Sequence, residues 1–240
     1  MVLFFQIYHR MTFLEIVPCF TLMINQAVCH QCIELAKMIR LRYHILNIHI
    51  EKIVDYFKRR TINFIEIGLM NKGVDRLYSR QLYNLCYICT MHHHLTKLIK
   101  LYNETFGVIL SLMFGVSFVS TVISLFYCSG GLQANQIDWI RIFLPCVTTW
   151  IYVVDTVYIC NTCYTTIEEA NKSGELIHQI DTNDPEIRDE IEMFSLQIIN
   201  EQVEFNAAGF FPIDYTLVFS IIGGVTTYII ILIQLSATVV

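Results

Sequence analysis

Charge is scarce in this sequence. Asp, Glu, Lys and Arg supply 15% of its 240 residues, where soluble domains carry about 25%, and the mean hydropathy is +0.51. That scarcity argues against a soluble domain and fits a membrane protein. No basic surface for nucleic acid emerges, and the formal net charge of −5 conceals a separation of signs along the chain. The opening "MVLFFQIYHRM" lacks a basic region ahead of its apolar stretch and lacks a small-residue cleavage site, so it is a poor signal peptide. It reads as a chain that begins partway through something. Also absent are a phosphate-cradling glycine loop, a Gly-x-Ser-x-Gly elbow and a pair of membrane carboxylates, so enzymatic chemistry has no visible carrier and no cofactor is expected. There is no internal repeat and no low-complexity segment.

What is present is apolar length. Crossing a bilayer as a helix takes about 20 mainly apolar residues, and four segments meet that need. Thr105 to Ile137 is free of charge, with Phe106 to Tyr127 as its core, and Tyr215 to Val240 is equally uncharged. Ile140 to Cys160 is apolar but carries Arg141 and Asp155. Phe13 to Val28 includes Glu15, Pro18, Asn25 and Gln26, so it spans where neighbouring helices shield those groups. Basic loops stay in the cytoplasm. Twelve of the sixteen Lys and Arg fall between His30 and Glu104, while "CSGGLQANQ" at Cys128 to Gln136 has none. The spans then run inward, outward, inward and outward, leaving the C-terminus outside. The expected fold class is an all-α membrane protein with four transmembrane helices and long cytoplasmic helical extensions.

The cytoplasmic stretches carry helical seams. Ala36, Ile39, Tyr43, Leu46, Ile50, Ile53 and Phe57 follow an alternating three-four spacing, which places one apolar line along a helix that prolongs the first span. Tyr78, Leu82, Leu85 and Cys89 begin a second seam. A third helix starts at "NDPEI", with Asp184 as N-cap and Pro185 in the first helical position, and its seam is Ile187, Ile191, Phe194, Ile198 and Phe205. In chain order the divisions are 1–104 (first span and two cytoplasmic helices), 105–160 (a pair of spans), 161–206 (an acidic connection and the third cytoplasmic helix) and 207–240 (the last span).

Three Cys-x-x-Cys pairs stand out: Cys29 with Cys32, Cys86 with Cys89, and Cys160 with Cys163, the middle one followed by His92, His93 and His94. Four such ligands could close a zinc site. Cysteines three apart on a helix are more simply packing residues, the histidines a polar helix face, and the thiols mostly reduced, so no metal is expected. The sequons at Asn103 and Asn171 fall on the cytosolic side and are expected to be unused. Asp155 reads as a charge reaching the cytoplasmic interface.

The last span holds more. Ser220, Gly223 or Gly224, Thr227, Gln234 and Thr238 recur at helical spacing and form a small, polar stripe on an otherwise isoleucine-rich helix. The stripe is compatible with helix packing through glycines, and equally with a symmetric assembly whose subunits surround a wet axis.

The string Thr227, Tyr228, five apolar residues Ile229 to Ile233, then Gln234, resembles the Thr-Tyr-apolar(5)-Gln-Phe signature of the insect gustatory receptors, with Leu235 in place of the phenylalanine. "FSLQ" at Phe194 to Gln197 and "FNAAGFFPID" at Phe205 to Asp214 are similar to that family's approach to its last helix. The resemblance implies helices four to seven of a seven-helix receptor of the plasma membrane, multi-pass, with an extracellular C-terminus. It further implies a homo- or hetero-tetramer with related subunits in the lipid bilayer, gated by a small-molecule tastant and passing cations. Pro185 to Gln202 would be the cytoplasmic half of a broken last helix, with the hinge near Ala208 to Pro212. Tyr215 to Ser236 would line the pore through Ser220, Gly223, Thr227, Tyr228, Ile231, Gln234 and Thr238. The cytoplasmic seams would be the anchor, with Leu46, Ile53, Phe194 and Ile198 serving assembly. The first three helices, and with them much of the ligand pocket, lie outside the 240 residues, so a truncated or partial receptor is expected. The alternatives are a non-conducting interaction subunit without a pocket, and a Cys-x-x-Cys membrane redox enzyme.

Overall fold

The computed structural model describes the backbone of residues 2–66, 73–133, 139–182 and 184–239, and side chains over 20–59, 83–129, 143, 145–182 and 184–235. The described residues are all-helical and contain no named strand: α1 (Val2–Glu66), α2 (Gly73–Gln133), α3 (Trp139–Ile177), α4 (Pro185–Asn200) and α5 (Tyr215–Val239). Tyr83–Ser129 and Tyr215–Leu235 are apolar and long enough to cross a membrane, by length and composition. The side chains of Phe13 to Cys19, at the start of the first expected span, and of Tyr78, Leu82 and Thr238, lie outside the described set, as do positions 134–136 of the loop after Cys128.

Packing divides the chain into two units assembled from separated segments. The first comprises Met1–Glu34, Val108–Asn161 and Asp214–Val240; the second comprises Leu35–Gly107 and Thr162–Ile213. In the second unit the α1 seam is buried along its whole length, from Ala36 at 0% exposure through Tyr43, Leu46, Ile50 and Ile53 to Phe57 at 4%. Heptad-like spacing keeps these residues on one side of the helix for about six turns, which is why the line stays inside. The α2 side is supplied by Leu85, Ile88, His92, Leu95, Ile99 and Tyr102, with Cys89 at the edge of the line.

Helix α4 starts where its sequence signals. Asp184 is extended, and its carboxylate accepts a hydrogen bond from the Glu186 N–H, while Pro185 occupies the first turn without an N–H to satisfy. Such a cap contributes about 1 kcal/mol. The helix ends at Asn200, and Ile187 and Phe194 are its buried residues. Phe205 lies beyond the helix, in the connection to α5, and its ring meets Tyr102 edge-on at 5.2 Å.

Candidate pore helix and anchor unit

The connection between α4 and α5 is a closed turn. Ala207 N–H donates to Phe211 O at 3.0 Å, Ile213 N–H to Phe205 O at 2.8 Å, and Gly209 N–H to Asn206 Oδ1 at 2.9 Å. Ala208 and Gly209 hold φ of 54° and 75°, a region that glycine enters freely and alanine does not. The turn lies against Gly107 of α2: a Cβ there would sit 2.5 Å from Ala208 N. Asn103, one helical turn before Gly107, clasps the same segment, donating from Nδ2 to Glu204 O at 2.8 Å and accepting from Asn206 N–H at 3.2 Å. The sequon asparagine is thereby committed to the fold. Gly107 carried no signal in the sequence, because its role is defined by a backbone about a hundred positions away.

Beyond the turn, Asp214 Oδ1 accepts from Thr216 N–H at 2.8 Å and opens α5. Among the described side chains of this helix Val225 is the buried one, with Val218, Ile221, Ile229 and Leu232 half-buried on the same side. Ser220, Gly223, Thr227, Ile231 and Gln234 all lie on the opposite side and are exposed. The hydroxyls along this helix satisfy themselves, Ser220 Oγ donating to Thr216 O at 2.8 Å and Thr227 Oγ1 to Gly223 O at 2.9 Å. Gly224 and Tyr228 turn instead toward Phe118, whose ring meets Tyr228 at 5.7 Å.

In the second unit the residues expected to serve assembly are mostly consumed inside. Leu46 and Ile53 are buried, Phe194 is fully buried against His92 at 5.3 Å, and Ile198 is half-buried beside Gly174. The outward apolar side chains are others: Met38, Leu41, Ile45 and Ile48 on α1, and Met193, Leu196 and Ile199 on α4. The three histidines do not form one polar face. His92 is 1% exposed between Tyr43 and Phe194, His93 meets Glu201 at 2.7 Å, and His94 is exposed. Helical rotation explains the split, since successive positions turn by about 100° and cannot share a side.

A model of the 7tm chemosensory receptor family matches residues 1–238. The chain belongs to that family. Gustatory receptor 68a of Drosophila melanogaster is 26% identical to it over 194 residues, 75% of this chain and 49% of that protein. Gustatory and pheromone receptor 32a of the same fly is 29% identical over 154 residues, 62% of this chain and 32% of that protein. This receptor chain spans about half the length, or less, of such relatives. Among solved structures, the insect olfactory receptor OR5 of Machilis hrabei, in complex with eugenol, shares the fold with a TM-score of 0.55 at 11% identity, over 88% of this chain and 69% of that one. Family membership places the chain among receptors of the membrane, not among redox enzymes.

Two polar pairings of the receptor join separate helices. Asp155 is half-buried and accepts a hydrogen bond from the Gln26 Nε2 amide of α1. In the second unit, Asn47 reaches across from α1, donating to Glu169 O at 2.7 Å and Glu169 Oε1 at 3.0 Å while accepting from Ser173 Oγ at 2.6 Å. His44 meets the same carboxylate at 3.0 Å, and Lys172 pairs with Glu51 at 3.1 Å. Burial pushes the Glu169 carboxyl up, but the bonds from Asn47 and His44 and the charges of His44 and Lys172 outweigh it and leave the pKa below its ordinary value.

Proposed function

We propose that the chain is a gustatory chemoreceptor subunit, forming part of a tetrameric ligand-gated cation channel of the plasma membrane, with four spans corresponding to helices four to seven and the C-terminus extracellular. Its ligand is a small-molecule tastant. The fruit fly relatives are taste receptors by name. The observation that carries the channel reading is the disposition of α5, which packs through Val225 and its neighbours and presents Ser220, Gly223, Thr227, Ile231 and Gln234 on the opposite side. A polar stripe with self-satisfied hydroxyls can face either lipid or water. Among the described residues the Gln234 carboxamide has no such partner, and lipid exposure without one would cost it several kcal/mol. Around a fourfold axis it faces water and its symmetry mates. Thr238 continues the stripe by spacing.

Assembly then falls to the second unit as the anchor. Leu46, Ile53 and Phe194 shape it from within, Ile198 lies at its margin, and the exposed side chains of α1 and α4 meet related subunits. Burial in water gains roughly 25 cal/mol per Å² of apolar area, whereas helix contacts in lipid gain little from that effect.

The test fuses the chain to the N-terminal half of a fruit fly gustatory receptor and records currents from Gln234→Leu and Gln234→Glu. Gln234→Leu lowers conductance or shifts gating at near-normal surface expression, because a dry ring raises the barrier to hydrated ions. Gln234→Glu introduces sensitivity to divalent block. Unchanged current, block and ligand dependence in both variants would sink the pore assignment.

A further inference from the structure

Cys128 and Cys146 belong to none of the three Cys-x-x-Cys pairs, and their 18-residue separation matches no metal or redox motif. Yet the structure places their Sγ atoms 3.5 Å apart, Cys128 on α2 and Cys146 on α3, both within the first unit. Cys128 is 8% exposed and Cys146 is exposed. Pro145, inside α3 and next to Cys146, lacks the N–H that would complete its helical hydrogen bond. The pair brackets the connection that has no Lys or Arg from Cys128 to Gln136.

We propose that Cys128 and Cys146 form a disulfide that staples α2 to α3 beside this loop. The proposal rests on the reading that puts the loop outside, because disulfides persist in the secretory pathway and at the cell surface but not in the cytosol. Two thiols 3.5 Å apart on separate helices need only a small approach to reach bonding distance, and on the oxidising side the redox condition is met as well. The Cys-x-x-Cys pairs do not: Cys86 and Cys89 lie in the unit read as cytoplasmic, and Cys29, Cys32, Cys160 and Cys163 are buried at or beside segments leading to it.

The chemistry is thiol–disulfide exchange with an oxidised protein dithiol carrier of the secretory pathway. One thiolate attacks a carrier sulfur, breaking the carrier S–S bond and giving a mixed disulfide. The second thiolate then displaces the carrier. The Cys128–Cys146 bond gains its electron pair balance by reducing the carrier to its dithiol, which takes up the two protons the cysteines lose. The bond closes a short loop, restricts the unfolded chain and resists separation of the two helices.

The test expresses the full 240-residue chain in insect cells, lyses in denaturant, tags free thiols with polyethylene glycol maleimide and repeats the tagging after reduction. With nine cysteines in the sequence, the bonded chain takes seven tags before reduction and nine after. Cys128→Ser and Cys146→Ser each free the remaining partner and take eight tags in both conditions, and the double variant takes seven in both. Because counting is done on denatured protein, a folding defect does not obscure it. Nine tags on the native chain before reduction overturn the proposal, as does a blocked pair that persists in the double variant. A glycosylation sequon inserted after Gln133 separates the two possible failures. A glycan there with nine free thiols overturns the disulfide and leaves the loop outside, whereas no glycan with nine free thiols overturns both.

Discussion

The two units of this chain bury their side chains to different extents. Among the described residues, ten of the twelve largest fully buried side chains belong to the second unit, including Tyr43, Phe194, Phe205 and His92; Leu110 and Ile159 are the two in the first. The second unit also pairs its polar groups across helices, as Asn47, Ser173 and Glu169 do. In the first unit Val225 is the buried one among the described side chains of α5, and large apolar side chains such as Leu112, Phe219 and Ile222 stand exposed. On the reading proposed above, in which the second unit faces water and the first lies in lipid, the difference follows from the two solvents. A unit facing water gains from every apolar residue it hides, while a helix in hydrocarbon gains little by hiding leucine and associates through small residues and close packing. Gly224 against Phe118 is contact of that second kind.

The comparison breaks first at Phe194. Phe194→Ala removes a fully buried ring and should cost about 3–5 kcal/mol, whereas Leu112→Ala, 66% exposed, should stay within about 0.5 kcal/mol. Thermal unfolding of detergent-solubilised protein, followed by size-exclusion fluorescence, would show the gap; equal losses would mean that the two units do not differ as described. A sharper version uses two glycines of one helix. Gly107→Ala drives a Cβ into the backbone of the 206–212 turn and should cost about 1–3 kcal/mol, while Gly115→Ala meets nothing within 4 Å and should be neutral or slightly stabilising through helix propensity. The same melts decide it.

The smallest effect is electrostatic. Because the folded pKa of Glu169 lies below the ordinary 4.5, its ionised form adds stability that is fully present above that value and disappears as pH falls through the lowered one. Glu169→Gln should therefore lose a modest part of its stability at pH 7 and show a flatter dependence between about pH 5 and 3 than the parent. A parallel pair of pH–melting curves would rule the network out as a source of acid sensitivity.

Much of the second unit could be read in advance, and for a definite reason. The α1 seam and the Asp184–Pro185 start depend on spacing and on the conformational habits of single residues, which are local properties. The stripe on α5 was legible in the same way, as one side of one helix. His92 was not: three consecutive histidines look polar, and only the packing of Tyr43 and Phe194 around one of them makes it a core residue. Gln26 bonding Asp155 was not legible either, because those partners are 129 positions apart.

Composition, periodicity and capping residues thus determined by themselves that the chain is helical, membrane-bound and marked by a polar line on its last helix. They could do so because each rests on neighbours within a few turns. Tertiary structure alone decided that Gly107 must lack a side chain, that Asn103 holds the turn before α5, that His92 is a core residue, and that Cys128 meets Cys146. Each of these depends on a segment far away in sequence, brought close by packing that no local pattern records.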